Sequence, residues 1–571
     1  MKIPQKSLTT LTMGLLLVTI FFLPVSVEGG ESSREAPPIL FGPTGPTPYH
    51  IPGYGIEHIK PHPYLLAQLN EKLMNIQSEV SDTGLQPHAI QLVVPVLPEN
   101  YKPSMRSTGD NNLLVILVDF SDAPHGPNQT CEEVLAGFNG PGTAGSSPPH
   151  DSVKGFYERS SYGLLNFTAD VHGWYRASHD RAYYEQLTYG TGGWGELAKE
   201  CLDALDGEID YSRYDNDNDG DIDTLYLVWA GSDFNQFWWG MFIPGRSIEE
   251  WDGLFLDSII PSPYTWQGSD QPFSPGTINH ETGHLLGLPD YYDYSPSTGP
   301  CGGLGGFDEM DGNAIDHNCF SKYLLGWIDP LVIRDGEHDV ILRASSEYPD
   351  AIIMMPLGSD GPYSEFFMAQ TRNPASGNDN SHMWWNWPGK PEWTSQGLAV
   401  WHIDATLDER EYFEYDNSYA SRKLLRLMEA DGLEELEQSC YISNNWDPGD
   451  LYYPGQRFGP DTTPNSSRYD GMPSGISIGN ISQEGSGIRV RITLPRSILP
   501  LPGQSLPPTD PDGDGLYEDL NGNGSIGFGD VVLFFQFIEW IKANEPVSSF
   551  DFSGNGVIGF QDVVVFFNQT G

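Results

Sequence analysis

His280 and His284 stand four residues apart, with Glu281 beside the first of them. On a helix, residues i and i+4 share one face one turn apart, so the spacing predicts two imidazoles able to grip one zinc ion. Glu281 would lie beside that ion, poised to act on water. Gly287 follows within a turn, and glycine readily enters the left-handed conformation that stops a helix. Pro289 then keeps the helix from resuming. The turn is expected to swing Asp290 back towards the metal as a third ligand, with Asp293 as the alternative, because Pro289 leaves the turn geometry open. Three protein ligands leave one zinc position for water, which is the catalytic rather than the structural arrangement. The chemistry expected is hydrolysis of peptide bonds, with Glu281 as general base.

Two further stretches read as calcium chemistry. Asp215, Asp217, Asp219, Asp221 and Asp223 alternate through one acidic loop around Gly220, and converging carboxylates select a hard cation. Tyr226 stands where an EF-hand has its last glutamate, and an apolar run follows, so a calcium loop feeding a strand is expected rather than an EF-hand. Near the end of the chain an internal repeat recurs at 32 residues. Asp519, Asn521, Asn523, Ser525 and Asp530 form the first copy. Asp551, Ser553, Asn555, Val557 and Asp562 form the second. Oxygens at loop positions 1, 3, 5 and 12, with glycine at 6, are the EF-hand arrangement. Asp510, Asp512 and Asp514 add a third acidic cluster that overlaps the first loop.

The stretch His280 to Asp290 resembles the extended zinc motif of the metzincin metalloproteases, with Asp in place of the commoner third His. More closely it resembles the immune inhibitor A-like family of secreted bacterial and archaeal proteases. The resemblance implies a methionine turn beneath the metal, for which Met310 in the stretch Gly305 to Asp311 is the candidate. The acidic loop before an apolar strand, Lys322 with Leu325-Gly326-Trp327, the stretch Gly397 to Asp404 and the stretch Gly449 to Gly455 are similar to the same family. The C-terminal repeat resembles a type I dockerin, which implies a cohesin-like docking partner. Loop positions 10 and 11, Phe528-Gly529 and Phe560-Gln561, depart from that family's pattern.

These residues need elements to position them. The continuous apolar run Leu113 to Phe120 suits a buried central strand. Asp151 or Ser152 can cap a helix carrying Val153, Phe156 and Tyr157. Leu165 to Trp174 and Leu225 to Ala230 read as strands, and Trp194 to Leu205 as a helix. Beyond Asp335 short alternating segments (Val340 to Leu342, Ala351 to Met355, Glu365 to Ala369, Leu398 to Ile403) suit strands of a β-sandwich. A structural role is expected for His402 and Asp404, with a site role as the alternative.

The expected fold class is α+β: a metzincin-like zinc protease domain, a β-sandwich accessory domain and a small helical EF-hand-like module. The expected divisions are residues 1–29 (signal peptide), 30–108 (propeptide or N-terminal extension), 109–335 (catalytic domain), 336–496 (accessory domain), 497–509 (Pro-rich linker) and 510–571 (dockerin-like module). Lys2 and Lys6 before the short apolar run Leu11 to Leu23 support the first of these and an exported, extracellular or cell-surface location. A latency segment at 30–108 contains no cysteine to block zinc. The net charge of −49 argues against nucleic acid as a partner, and no later segment is long and apolar enough to span a membrane. Sequons at Asn128, Asn166, Asn465 and Asn480 fit export. Among five cysteines no Cys-x-x-Cys occurs; a disulfide from Cys301 to Cys319 would staple the loop carrying Met310, with the connectivity left open. The rival expectations are an adhesion or scaffold protein whose protease domain is vestigial, and a zinc amidase.

Overall fold

The computed structural model describes residues 103–141, 152–187, 192–232, 240–265, 273–293, 303–312, 315–356, 359, 361–380, 393–418, 421–436, 446–495 and 498–570. The expected signal peptide and nearly all of the N-terminal extension lie outside these residues.

Strand β1 (Gly109–Asp119) is an inner strand of the first sheet. The others are β2 (Leu165–Arg176), β4 (Leu225–Ser232), β5 (Ile243–Pro244) and β7 (Ser258–Thr265); a separate two-residue pair is formed by β3 (Asp221–Ile222) and β6 (Phe255–Leu256). The order is β2-β1-β4-β7-β5, with only β5 antiparallel. A parallel sheet is buried on both faces, and β1 shows why its sequence is an unbroken apolar run. Leu113, Val115 and Leu117 face one core, while Leu114, Ile116 and Val118 face another.

Helices α1 (Cys131–Asn139), α2 (Val153–Ser160) and α5 (Gly276–Leu285) contribute to the first of these cores; α4 (Gly192–Leu205), which follows α3 (Arg181–Leu187), fills the second. Ser152 caps α2 by accepting the Gly155 N–H at 2.9 Å. Two short helices follow α5: α6 (Glu309–Gly312) and α7 (Cys319–Leu324).

The second sheet has the order β13-β12-β11-β10-β8, from β8 (Leu331–Ile333), β10 (Ile352–Met354), β11 (Glu365–Arg372), β12 (Gly397–Asp404) and β13 (Leu425–Leu427). A third sheet joins β9 (Gly336–Arg343) to β14 (Ser477–Glu484) and β15 (Gly487–Leu494). Side chains alternate along β11 and β12. Phe366, Met368, Trp401 and Ile403 enter the same core as the zinc-motif helix. Phe367, Ala369, Leu398 and Val400 meet Ile478, Ile488 and Val490 of the third sheet. The second sheet is therefore covered on both faces.

A buried ion pair bolts these layers together. Lys322 on α7 donates to Asp316 at 2.6 Å, and Ser160 of α2 donates to the same carboxylate at 2.6 Å. Arg372 of β11 donates to the Asp316 carbonyl at 3.2 Å and forks onto Asp379.

The C-terminal repeat has its own core around Leu520, Phe534, Phe552 and Phe566, carried by α8 (Phe528–Asn544) and α9 (Phe560–Thr570). Leu501, from the Pro-rich stretch, packs into it. Among the described residues no helix is long and apolar enough to cross a membrane.

The staple expected between Cys301 and Cys319 is not made. Cys131, Cys201 and Cys319 are free thiols, and Cys319 is packed into the first core at the start of α7; Cys301 lies outside the described residues.

Candidate metal centre

Helix α5 ends as the glycine predicts. Gly287 takes φ 96°, its N–H donates to the His284 carbonyl at 2.8 Å, and the Leu288 N–H reaches back to the Gly283 carbonyl at 2.9 Å. These two bonds form the Schellman closure, which satisfies carbonyls that the helix end would otherwise leave bare. The chain reverses there and carries Asp290 to the imidazoles. Asp290 Oδ1 lies 2.8 Å from His280 Nε2 and 3.1 Å from His284 Nε2, and all three side chains are buried. Asp293 does not join this group.

The far side of each ring fixes its orientation. His280 Nδ1 is 2.9 Å from the Glu309 carbonyl, and His284 Nδ1 is 2.8 Å from the Leu288 carbonyl. A carbonyl oxygen only accepts, so each Nδ1 carries the hydrogen and each Nε2 is the free nitrogen of the neutral ring. A lone pair on Nε2 cannot rest at hydrogen-bond distance from a carboxylate oxygen; a cation must lie between them, either a proton or a metal. Burial opposes charge on His284, but the facing Asp290 carboxylate outweighs it and pushes the ring up to about 9. Burial opposes charge on Asp290 too, and both histidines more than reverse that, holding its carboxyl well below the usual range. Three donors around a tetrahedral zinc stand roughly 3.4 Å apart at ordinary bond lengths, so small shifts suffice to admit the ion. Two imidazoles and a carboxylate are a donor set that zinc accepts.

Glu281 is buried beside them, and its Oε1 has no hydrogen-bond partner. Burial raises its pKa, the two histidines lower it and Asp290 raises it, with a net shift upward; the Phe242 backbone N–H contributes a bond that favours the ionised form. Tyr292 is also buried, and its hydroxyl pKa lies well above the usual value through burial first and then the neighbouring Asp290 and Glu281 charges; it hydrogen-bonds Asp290. Tyr291 instead turns away to Ser321 Oγ at 2.8 Å, and Tyr294 lies outside the described residues.

Met310 lies against the underside of the helix. A Cβ added at Gly283, between the two histidines, would overlap Met310 Sδ. The loop carrying Met310 is held by Asp308, which accepts from Met310 N at 2.7 Å and from Asn318 Nδ2 at 2.7 Å. Tyr291 N donates to the Met310 carbonyl at 3.0 Å, tying the loop to the ligand turn.

Sequence reading missed the Phe242 N–H, the Glu309 carbonyl, and Tyr157, whose hydroxyl donates to the Asn279 carbonyl at 2.5 Å. Two of these are backbone atoms, which no residue type announces. The signal for Tyr157 was its place on an apolar helix face.

Of the acidic loop, Asp215, Asp217 and Asp223 bring ligand oxygens together. Asp221 is turned to Arg246 at 2.7 Å, and Asp219 Oδ1 accepts the Asp221 N–H at 3.1 Å within the turn. In the C-terminal repeat the two loops have matching internal bonds. Asp519 accepts from Asn523 N and Gly524 N at 3.0 and 2.7 Å; Asp551 accepts from Asn555 N and Gly556 N at 3.0 and 2.6 Å. Asp530 and Asp562 close the loops by accepting from Asn521 N and Ser553 N. Asn523 and Asn555 accept from the Ser525 and Val557 N–H groups. Phe528 and Phe560 are each 65% exposed. His402 pairs with Glu365 at 2.8 Å and stacks between Phe367 and Tyr469, while Asp404 meets Arg422 at 3.1 Å.

No protein-family model matches the chain. Over 237 residues it is 29% identical to the pre-pro-metalloprotease PrtV of Vibrio cholerae serotype O1, in strain M66-2 and equally in strain ATCC 39315 / El Tor Inaba N16961. The match covers 32% of this chain and spans 25% of the relative's length. The chain is thus distantly related to a metalloprotease.

Proposed function

We propose that the protein is a secreted zinc endopeptidase of the metzincin type, anchored through its C-terminal calcium-binding repeat. One observation carries the reading: two buried Nε2 atoms and one carboxylate oxygen converge beside a buried glutamate with a free oxygen. The distant likeness to a metalloprotease supports it. His280, His284 and Asp290 would hold the zinc. When bound, zinc supplies a Lewis acid that polarises the scissile carbonyl and makes water a nucleophile near neutral pH.

The chain's own residues do the rest. Glu281 takes a proton from the attacking water at Oε1 and returns it to the departing amine. One carboxylate serves both steps because the proton comes back within the cycle. Its raised pKa favours the uptake of that proton. The Phe242 N–H holds the other side of the carboxylate, and Tyr292 holds Asp290 in place.

Export is read from the basic-apolar leader. Attachment to a cohesin-like partner is read from the paired calcium loops of 519–530 and 551–562. The loop of Asp215 to Asp223 is read as a structural calcium site, and the second and third sheets as a β-sandwich.

Glu281→Gln tests the mechanism. Casein hydrolysis is expected to fall by a factor of at least about 100, with zinc content unchanged. Full activity with zinc retained overturns the assignment.

A further inference from the structure

Four carboxylates outside the zinc motif converge in the region of the second sheet. Glu429 and Asp431 follow strand β13, Glu435 lies one turn on, and Asp450 ends a short 3₁₀ turn, Pro448–Asp450. Ligand oxygens from all four lie within 4.8 Å of one another. The two segments are held together by the Ala430 N–H, which donates to the Asp450 carbonyl at 3.0 Å.

Three of the carboxylates are anchored through one oxygen by a backbone N–H. Glu429 Oε2 accepts from Glu435 N at 2.8 Å, Asp431 Oδ1 from Leu433 N at 3.0 Å, and Asp450 Oδ2 from Asp447 N at 2.7 Å. A Cβ at Gly449 would lie 2.7 Å from Asp431 Oδ2, which places that carboxylate against the 448–450 turn. Asp450 is completely buried, and its Oδ1 has no partner. Among the described residues no lysine or arginine forms a salt bridge with Asp431 or Asp450. Burial, followed by the charges of Glu435, Asp447 and Asp431, pushes the Asp450 carboxyl up to about 8.

Carboxylates crowded around the buried, unpartnered Asp450 oxygen favour a cation, and the four side chains offer it oxygen alone. All-oxygen donor sets exclude zinc and copper in favour of hard ions; carboxylates on flexible loops suit calcium better than the strict octahedron of magnesium. We propose that Glu429, Asp431, Glu435 and Asp450 form a calcium site that ties the segment after β13 to the 448–450 turn.

The test uses the full chain and calcium itself. Calcium per chain is measured by elemental mass spectrometry after dialysis, for the parent, Asp450→Asn and Asp431→Asn. Each variant is expected to hold one calcium fewer than the parent. Thermal unfolding supplies a second reading whose sign separates a site from a mere structural contact. In EGTA the variants should unfold at the parent's temperature or above it, because a repelling charge is gone. In millimolar calcium they should unfold below the parent. Asp431 is at the surface, so its variant decides the matter if Asp450→Asn fails to fold. Unchanged calcium content, or the same shift in both media, overturns the proposal.

Discussion

Gly283 sits between two imidazoles with Met310 pressed against it, and the space left there is one hydrogen wide. Gly283→Ala should cost about 1–3 kcal/mol, as overpacking of a dense core does. Adding Met310→Ala should restore part of that loss, giving a non-additive cycle in urea unfolding. Lys322→Met should cost about 3–5 kcal/mol, since it strands the buried Asp316 charge. The pair also sets a pH window. Burial works against both charges, yet each partner outweighs it, lowering Asp316 and raising Lys322. The Asp316 contribution is complete above its unfolded pKa of about 3.9 and is lost as pH falls through the depressed folded value. The Lys322 contribution is complete below about 10.4 and is lost as pH rises through the elevated one. Urea midpoints should therefore separate parent and Lys322→Met most at neutral pH, the gap narrowing at both extremes. At this scale His280, Glu281, His284 and Asp290 were legible because their relation is local, within three turns of chain. The Glu309 carbonyl and the Phe242 N–H were not, because they arrive from 29 and 39 residues away as backbone atoms.

Elements differ in how openly their sequences declare them. Strand β1 was readable because burial on both faces demands an unbroken apolar run. Strand β7 was not, since Pro261 and Pro263 interrupt it. Its outer neighbour β5 pairs only at Ser258 and Ile259, so the prolines sit along what is in effect an edge, where a missing N–H is tolerated. The turn after α5 is the element on which the centre depends most. Gly287→Ala puts a Cβ at φ 96°, with a cost of about 1–2 kcal/mol. Relaxation of that strain moves Asp290. The variant should keep its far-ultraviolet dichroism and lose metal on dialysis faster than the parent.

For the whole molecule, the decisive fact is that the first and second sheets share one core. Phe366, Trp401 and Leu425 are buried with Val115, Leu285 and Met310. A chain ending at residue 335 lacks that cover, and is expected to be insoluble or to bind a dye for exposed apolar surface. Calorimetry of the full chain should show residues 103–495 melting as one unit, with the C-terminal repeat, which has a separate core, melting on its own. The sequence change near residue 335 marks a change of element type. It does not mark a gap in packing, because hydrophobic pattern records whether a side chain is buried and not what it is buried against.

All three donor groups of the centre fall between His280 and Asp290, eleven residues that bend back on themselves at Gly287. Closing so short a loop sacrifices little chain freedom. Were an ion bound there, this one segment would supply every donor before the distant strands have met. The Met310 floor and the Glu309 carbonyl come later in the chain, so they would lock rings that the turn has already gathered.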